Sequence, residues 1–494
     1  MKFISTRDTN NSNKFDSAFV IKKGIADDGG LFVPESFPVI TADDIKALCA
    51  KNYVERAADI LGLFLTDYTA EELKEAASAA YSKEAFEDGA TVISKVGDNE
   101  ILELWHGPTS AFKDMALQIM PRLLSTAIEK CGETRDALIL VATSGDTGKA
   151  ALEGYADVDR VRILVFYPSE GVSRIQKLQM QTQKGENVKV AAIKGNFDDA
   201  QSGVKRIFTS ADVAEKLDKQ GLFFSSANSI NWGRLAPQIV YYISAYCDLV
   251  NEGEINLGDE LNITVPTGNF GNILAAYIAK KMGLPVGKLI CASNKNNILT
   301  DFFTTGVYDK RRVFFATISP SMDILISSNL ERLLYFATDA EVCAEFMKDL
   351  SEKGIFTVDE SLRAKLEEDF AAYFCDEELT KETIKKYFDS YSYLCDPHTA
   401  VGIYAADKYK EETGDKRAML IASTASPYKF SAAVLEALGE SVPEDDFEAL
   451  RKLSEKTGTV PPKNLSSLAD AVVRFDKIID VKDMAPEVED FAAL

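Results

Sequence analysis

The stretch "ALILVATSGDTGKAALEGYA", residues 137–156, joins a short apolar run to a loop of small and polar residues and then to a segment with helical spacing. An apolar run of this length, bounded by turn-forming residues, is typical of a strand buried on both faces. The loop runs from Thr143 to Gly148. A buried strand that leads through a loop into a helix is the repeating unit of α/β proteins.

Four further apolar runs follow the same pattern, at residues 161–167, 188–193, 261–266 and 288–293. Strands that are apolar on both faces and alternate with helices predict parallel sheets covered by helices on both faces. The fold class predicted is therefore α/β. Ligands of such sheets bind beyond the carboxyl ends of the strands, so we expect the chemistry in the loops that follow these runs.

Three regions differ in their sequence pattern. Residues 41–86 carry apolar residues at helical spacing in two stretches, each opened by a threonine that can cap a helix, and they predict a mostly helical N-terminal domain at residues 1–95. The catalytic core is expected at 96–430, with a smaller lobe at about 132–215 and a larger lobe formed by the remainder. Residues 431–494 are predicted to form a helical tail, and its sequence shows no motif that indicates catalysis or binding.

The composition argues against several classes of function. The chain has 494 residues, 46% of them hydrophobic, and a net charge of −22, which disfavours a nucleic-acid or anionic-membrane partner. Its seven cysteines show no C-x-x-C spacing, so neither a disulfide framework nor a metal site is expected. No signal-like or membrane-spanning apolar run is present, and the sequence predicts a soluble, cytoplasmic protein.

The loop Thr143–Gly148 is a candidate anion site, because backbone N–H groups and hydroxyls at a helix N-terminus can hold a carboxylate or a phosphate. A nucleotide-binding loop is disfavoured, since two residues rather than four separate Gly145 from Gly148 and Ala150 follows Lys149. A purely structural turn between strand and helix remains an alternative for this motif.

The segment "PTGNFGN", residues 266–272, repeats the arrangement of strand, loop and helix. Gly268 and Gly271 permit close approach of the backbone to an anion, which the dipole of the following helix would favour. The pattern G-x-x-G is weak in isolation. Its position where a strand turns into a helix makes it a second candidate anion site.

Lys113 is the candidate nucleophile, because it follows Phe112 directly at the start of an apolar helix. The ordinary interpretation is a surface lysine beside Asp114. Desolvation against an apolar face would instead lower the pKa of the amine and supply the free base that Schiff-base chemistry requires. The two histidines, His106 and His398, fit structural roles better. One such lysine, an anion loop and a covered sheet together suggest pyridoxal phosphate as cofactor.

Eight ordered segments between about residue 5 and residue 430 resemble the threonine synthase family, pyridoxal-phosphate enzymes of the tryptophan-synthase-β type. The resemblance implies the fold known as type II among enzymes with this cofactor. The segments are "STRD" (5–8), "DGGLFVPE" (28–35), "HGPTSAFKD" (106–114), "ATSGDTGKAA" (142–151), "SINWGRLAPQIVYY" (229–242), "PTGNFGN" (266–272), "DPHTAVG" (396–402) and "ASTASPYKF" (422–430).

The resemblance also implies roles for individual residues. Lys113 matches the lysine that forms the Schiff base with the cofactor, and Thr424 matches the hydroxyl residue that faces the pyridine nitrogen. A neutral partner there favours elimination and replacement over transamination. The loop matching the cofactor-phosphate site consists of Gly268, Asn269, Phe270, Gly271 and Asn272. The chain departs from the family pattern at Asp27, Ser426 and Tyr428, where proline, histidine and alanine respectively are usual.

The reaction implied is γ-elimination of phosphate from O-phospho-L-homoserine followed by β-addition of water, which gives L-threonine and phosphate. Lys113 would transfer the protons. The substrate carboxylate is expected at Ser144, Gly145, Asp146 and Thr147, and candidate cations for the substrate phosphate are Lys149, Arg174, Lys177 and Arg234.

The sequence leaves two other functional hypotheses open. A related phospholyase or serine/threonine dehydratase would use the same loops, and a non-catalytic binding protein could retain the fold. Intact Lys113 and "GNFGN" argue against the second. In each case the partner expected is a small molecule, and the chain is expected to be a monomer or a homodimer.

Overall fold

A computed structural model of the chain describes residues 1–10, 13–143 and 145–493. Thr41 and Thr69 cap their helices in capping boxes, as the sequence predicts. The stretch that begins at Thr41 contains two helices, because Asn52 caps a second one. The first elements of the chain are β1 (Phe3–Ser5), α1 (Ser17–Lys23), β2 (Phe32–Pro34), α2 (Ala42–Cys49), α3 (Tyr53–Phe64) and α4 (Ala70–Ala80).

The next segment builds an antiparallel strand pair and then alternates strands with helices. Its elements are β3 (Val92–Val96), β4 (Asn99–Glu103), α5 (Asp114–Leu117), α6 (Met120–Lys130), β5 (Asp136–Ala142), α7 (Asp146–Tyr155), β6 (Val161–Pro168), α8 (Arg174–Gln181), β7 (Val188–Lys194), α9 (Phe197–Phe208), α10 (Ala211–Lys219) and β8 (Leu222–Ser225).

The remainder of the predicted core continues the alternation. Its elements are α11 (Trp232–Glu252), β9 (Leu261–Pro266), α12 (Gly271–Met282), β10 (Val286–Ser293), α13 (Ile298–Thr305), β11 (Val307–Asp309), α14 (Leu330–Ala337), α15 (Ala340–Glu352), β12 (Ile355–Thr357), α16 (Glu360–Asp369), β13 (Phe370–Phe374), α17 (Glu377–Tyr391), α18 (Pro397–Thr413) and β14 (Ala418–Ser423). The tail forms α19 (Ser431–Ala437), α20 (Asp446–Thr457), α21 (Lys463–Ser466), β15 (Ile478–Asp480) and α22 (Met484–Ala492).

The strands form two main sheets. The larger has the order β13-β10-β9-β14-β4-β3 and is parallel except for β3, and the smaller has the parallel order β15-β7-β6-β5-β8. All five apolar runs predicted as strands lie in these sheets. Leu138 and Leu140 of β5 pack in a cluster with α9 and α22, whereas Ile139 and Val141 pack in the largest core cluster. This alternation confirms an α/β fold with parallel sheets covered on both faces.

The tail contains a strand as well as the predicted helices. β15 pairs in parallel with β7 and so completes the edge of the smaller sheet. Arg474 anchors the preceding segment by donating to the carbonyl oxygens of Gln183 and Gly185 at 2.8 and 3.1 Å. The domain boundaries at residues 95 and 430 stay predictions.

Helix α11 connects the first helices of the chain with the larger sheet. It packs against α2, α3, α5 and α12, and almost all of its 21 residues are buried. Its first turn is capped by Asn231, whose side chain accepts from the backbone of Gly233 at 2.9 Å. No helix in the described ranges is both long enough and apolar enough to cross a membrane.

Candidate active site

Lys113 lies at the start of α5, and its side chain is 12% exposed. Its Nζ donates to Ser321 Oγ at 3.2 Å and lies 4.0 Å from Asp146 Oδ2. Asp146 opens α7, directly after the loop that follows β5. The amine therefore lies between the loop at the carboxyl end of β5, in the smaller sheet, and the turn that contains Ser321.

Burial lowers the pKa of Lys113 to about 8 from its ordinary value of 10.5. The carboxylate of Asp146 opposes that shift, and the positive charges of Arg234 and Lys429 add to it. Asp114, the next residue, is buried and accepts from the backbone and hydroxyl of Thr109, and burial raises its pKa to about 6. At pH 7 about one-tenth of an amine with this pKa is unprotonated, far more than of a lysine with the ordinary pKa of 10.5.

Asp146 is neutralised by a second buried lysine. Lys429 Nζ lies 2.6 Å from Asp146 Oδ1 and also donates to the carbonyl of Thr109 at 3.0 Å. Burial would raise the pKa of Asp146, but Lys429 and Lys113 outweigh it and hold that pKa well below its usual range. The carboxylate stays ionised and fixes both cations, because two buried charges of opposite sign stabilise each other strongly.

The loop at residues 268–272 presents a row of free donors. The backbone N–H groups from Gly268 to Ile273 make no hydrogen bond to any described residue. Phe270 has a φ of 64°, a left-handed conformation that turns the chain into α12. Free amides at the N-terminus of a helix favour an anion such as a phosphate.

Asn272 adds a side-chain donor to this loop. Its Oδ1 accepts from Tyr241 at 2.6 Å and from Tyr242 at 2.5 Å, both on α11. The amide is therefore oriented with its oxygen toward α11, and its buried Nδ2 has no described partner. A buried donor without a partner is costly, so the site is built for an acceptor from outside the chain.

Residues of the N-terminal segment help to hold the same loop in position. Arg7 pairs with Glu331 of α14 at 2.8 and 2.7 Å. Asn329 precedes that helix and donates to the carbonyl of Asn269 from its backbone and its side chain. Arg332 donates to Asn329 Oδ1 at 2.5 Å and to the carbonyl of Phe32 at 3.0 Å. The "STRD" segment thus contributes to the position of the 268–272 loop.

Thr424 lies beside Lys113 because residues 110–112 run antiparallel to residues 424–426. The backbone of Phe112 donates to the carbonyl of Thr424 at 2.9 Å, and that of Ser426 donates to Ser110 at 3.1 Å. Thr424 is buried at the carboxyl end of β14. The structure therefore places Thr424 next to Lys113, and the 268–272 loop packs through Gly268 against Ser321, which also contacts Lys113.

Among the candidate cations for the substrate phosphate, Arg234 has a positive charge that contributes to the lowered pKa of Lys113. It is buried at the start of α11 and donates to the carbonyl of Ala227 at 2.8 Å, and burial lowers its pKa to about 10. Lys149 is paired with Glu153 at 2.8 Å.

Arg174 is exposed and pairs with Asp445 ahead of α20. Lys177 lies half-buried on the same helix, α8.

The loop expected to bind the substrate carboxylate is described in part. Ser144 lies outside the described residues. The backbone N–H groups of Gly145 and Gly148 both donate to Thr143 Oγ1 at 3.0 Å, so these two amides already have a partner. Thr147 is half-buried in the first turn of α7.

Sequence reasoning missed a chain of contacts that ends at Lys113. The backbone N–H of Ser321 donates to His398 Nε2 at 3.1 Å, and His398 Nδ1 lies 2.6 Å from Asp396 Oδ2. The side chains of His398 and Asp396 are 2% and 0% exposed. The signal available in the sequence was "DPH", in which a carboxylate stands two residues before a histidine.

The departures from the family pattern have local explanations. Asp27 is 87% exposed and pairs with Lys23 at 2.6 Å. Ser426 is buried and caps the turn that follows. Tyr428 reaches the tail, since its hydroxyl lies 2.7 Å from Thr459 Oγ1.

The tail also reaches the loop that precedes Lys113. Asn464 donates to the carbonyl of Gly107 at 3.1 Å and accepts from Ser110 Oγ at 2.8 Å. His106, in the same loop, lies between Asp88 at 3.1 Å and Glu103 at 2.8 Å. Burial lowers the pKa of His106, but the two carboxylates outweigh it and leave that pKa raised. Across the described ranges, no cluster of three His, Cys, Asp or Glu residues is arranged to hold a metal.

Three family models match the chain. That described as "Pyridoxal-phosphate dependent enzyme" matches residues 101–424, "Threonine synthase N terminus" matches 2–81, and "Threonine synthase, C-terminal" matches 399–472. Together they cover the region that carries every candidate residue named above.

Individual proteins and structures are similar over most of the chain. Threonine synthase from Schizosaccharomyces pombe is 36% identical, over 89% of this chain and 89% of its own. Threonine synthase-like 1 from Homo sapiens is 42% identical over 88% of this chain, which spans 60% of that relative's length. A crystal structure of pyridoxal-phosphate-bound threonine synthase from Brucella melitensis is 35% identical, with a TM-score of 0.88 and full coverage of both chains. The yeast enzyme is 34% identical, with a TM-score of 0.90, and 100% and 99% of the two chains are covered.

Proposed function

Because the chain belongs to the threonine synthase family of pyridoxal-phosphate-dependent enzymes, we propose that it converts O-phospho-L-homoserine and water into L-threonine and inorganic phosphate. The observation that carries the proposal is the buried amine of Lys113, held 3.2 Å from Ser321 Oγ and adjacent to Thr424. The class is that of a lyase acting on a small molecule. The specific substrate and product are our proposal.

The chain's residues fit the groups of pyridoxal phosphate, the cofactor of this family. Six consecutive backbone amides and Nδ2 of Asn272, none of which is bonded to a residue in the described ranges, supply donors for its phosphate. Lys113 supplies an amine with a pKa of about 8 for its aldehyde. We assign the phosphate to residues 268–272 and the pyridine nitrogen to the hydroxyl of Thr424.

The bound cofactor supplies a ring that accepts the electrons released when a proton leaves the substrate. Lys113 Nζ would take the Cα proton and, after releasing it, a Cβ proton, and phosphate would leave from Cγ with the electrons of the broken Cγ–O bond. Cγ would then gain a proton, the hydroxyl of water would add at Cβ, and Nζ would return a proton to Cα. The remaining proton of water leaves with the phosphate. Few other bases are needed, because an amine with a pKa near neutrality can both accept and return protons.

We assign the substrate's two anionic groups to separate parts of the site. Arg234 is the cation proposed for the substrate phosphate, because it is buried and acts on Lys113, and its guanidinium can bind a phosphate through two hydrogen bonds. The segment Gly145–Thr147 is proposed for the carboxylate, through the backbone N–H groups of Asp146 and Thr147, since that of Gly145 is bonded to Thr143 Oγ1. Lys429 supports that segment by neutralising Asp146.

The deciding experiment incubates purified holoenzyme with O-phospho-L-homoserine and measures phosphate, L-threonine and 2-oxobutyrate together. We expect phosphate and threonine in equal amounts. Phosphate with 2-oxobutyrate would instead identify a phospholyase. Release of no phosphate, with the cofactor bound, would support a dehydratase acting on other amino acids or a binding protein.

Two lysine variants make a matched control. Lys113→Ala should abolish both threonine formation and the borohydride-reducible visible band of the cofactor. Lys189, on β7 of the smaller sheet, is half-buried and paired with Glu487. Lys189→Ala should retain both threonine formation and the visible band. Full activity in Lys113→Ala would contradict the assignment of the nucleophile.

A further inference from the structure

The turn at residues 319–322 touches three parts of the candidate site. Ser321 Oγ accepts from Lys113 Nζ at 3.2 Å, and the backbone N–H of the same residue donates to His398 Nε2 at 3.1 Å. A Cβ at Gly268 would lie 2.8 Å from the carbonyl oxygen of Ser321. The turn therefore packs against the phosphate loop while its hydroxyl meets the amine.

His398 is held in one tautomer by its neighbours. Its Nε2 accepts a hydrogen bond from a backbone N–H, so the proton of the neutral ring is on Nδ1, which donates to Asp396 Oδ2 at 2.6 Å. Phe430 packs edge-on against the ring with centroids 4.9 Å apart. Both ring nitrogens of His398 are thus engaged, and the lone pair of Nε2 accepts from the backbone N–H of Ser321.

Capping of α18 does not account for this histidine. Asp396 accepts from the backbone of His398 at 2.9 Å and from that of Thr399 at 3.0 Å, and both bonds would persist with another side chain at 398. The imidazole contributes the bond to Ser321 in addition. That bond joins α18 to a turn 77 residues earlier in the chain.

We propose that His398, oriented by Asp396, is a positioning residue that sets the Ser321 turn so that Ser321 Oγ holds the Lys113 amine in place for reaction. Ser321 touches the reacting nitrogen and is by that contact a catalytic residue. His398 acts only through Ser321. The inference rests on the proposed role of Lys113, but it does not depend on which substrate the enzyme uses.

The charged groups around the amine do not replace this contact. Lys113 faces Asp146 from α7, Arg234 from α11, Lys429 from the turn after β14 and Asp114 from its own helix. Asp146 is 4.0 Å away and already bonded to Lys429 at 2.6 Å. Ser321 is therefore the uncharged group that fixes the direction of the amine.

The test measures how fast cofactor-free protein captures pyridoxal phosphate at Lys113, by borohydride trapping and mass spectrometry. His398→Gln keeps an acceptor near the position of Nε2, and His398→Asn has the same chemistry on a shorter side chain. We expect capture by the Gln variant within about threefold of wild type and by the Asn variant about tenfold slower. Equal rates for the two variants would overturn the proposal.

A double-mutant cycle shows whether His398 acts through Ser321. Ser321→Ala removes the hydroxyl and keeps the backbone N–H. His398→Asn should slow both capture and kcat in wild type, and should change either by less than about twofold in the Ser321→Ala background. Losses that multiply would show independent roles and overturn the proposal. Circular dichroism and melting curves confirm that the variants compared are folded.

Discussion

The buried amine of Lys113 makes a quantitative prediction for the cofactor-free protein. Its pKa falls from 10.5 to about 8, and at about 1.4 kcal/mol per pKa unit this corresponds to roughly 3 kcal/mol of destabilisation of the folded state while the lysine is charged. The side chain is 12% exposed, so screening by water reduces this little. Lys113→Met should therefore be more stable than wild type at neutral pH.

The sign of the pH dependence follows from the same values. Between pH 8 and 10.5 the unfolded chain binds the Lys113 proton and the folded chain has lost it, so the free energy of unfolding of wild type rises with pH relative to the variant. Below pH 8 both states are charged and the advantage of Lys113→Met is constant. Above 10.5 both are neutral and the advantage reflects packing alone.

Paired urea unfolding of the cofactor-free proteins between about pH 7 and about pH 11 measures the difference. Lys74→Met, at an exposed position of α4, is the matched control. Its free energy of unfolding should keep a constant difference from wild type between pH 8 and 10.5. Asp146→Asn should lower the pKa of Lys113 further, because the carboxylate opposes the shift. The pH range over which the stability of wild type rises relative to Lys113→Met should then begin at a lower pH. Parallel curves for wild type and Lys113→Met across the range would refute the reasoning.

Three further changes test other parts of the site. Replacing Tyr241 and Tyr242 together with phenylalanine frees the amide oxygen they share, and cofactor affinity measured by fluorescence titration should fall about tenfold. Arg332→Met leaves buried carbonyl oxygens without donors and should lower the free energy of unfolding by about 2–4 kcal/mol in urea titrations. Arg234→Gln should raise KM for O-phospho-L-homoserine at least about tenfold, whereas Arg174→Gln, at an exposed position, should leave it within about twofold in steady-state assays.

The parts of the fold that the sequence predicts are those determined by neighbouring residues. β5, β6, β7, β9 and β10 are apolar on both faces, and this burial pattern is visible in a run of six or seven letters. β13 and β15 were missed because they are edge strands with polar neighbours, and their partners lie about 80 and 290 residues earlier in the chain. Pairing over such distances leaves no local signal.

The site divides in the same way. Lys113 and the 268–272 loop are motifs in which the chemistry and the backbone conformation occur within a few residues. Ser321 was missed because it reaches Lys113 across 208 residues from a segment with no pattern of its own. Arg174 and Arg234 look alike in sequence, and only tertiary packing pairs one with Asp445 and places the other beside the amine.

The pairing of β15 with β7 has a consequence for synthesis on the ribosome. The smaller sheet is otherwise assembled from strands within residues 136–225, so four of its strands emerge long before the fifth. Roughly 290 residues separate β7 from β15, and at about 5–20 residues per second the outer edge of β7 waits about 15 to 60 seconds for its neighbour. An uncovered strand edge invites pairing with other chains. Nascent chains that stall before residue 478 should therefore depend on chaperones more than full-length ones do.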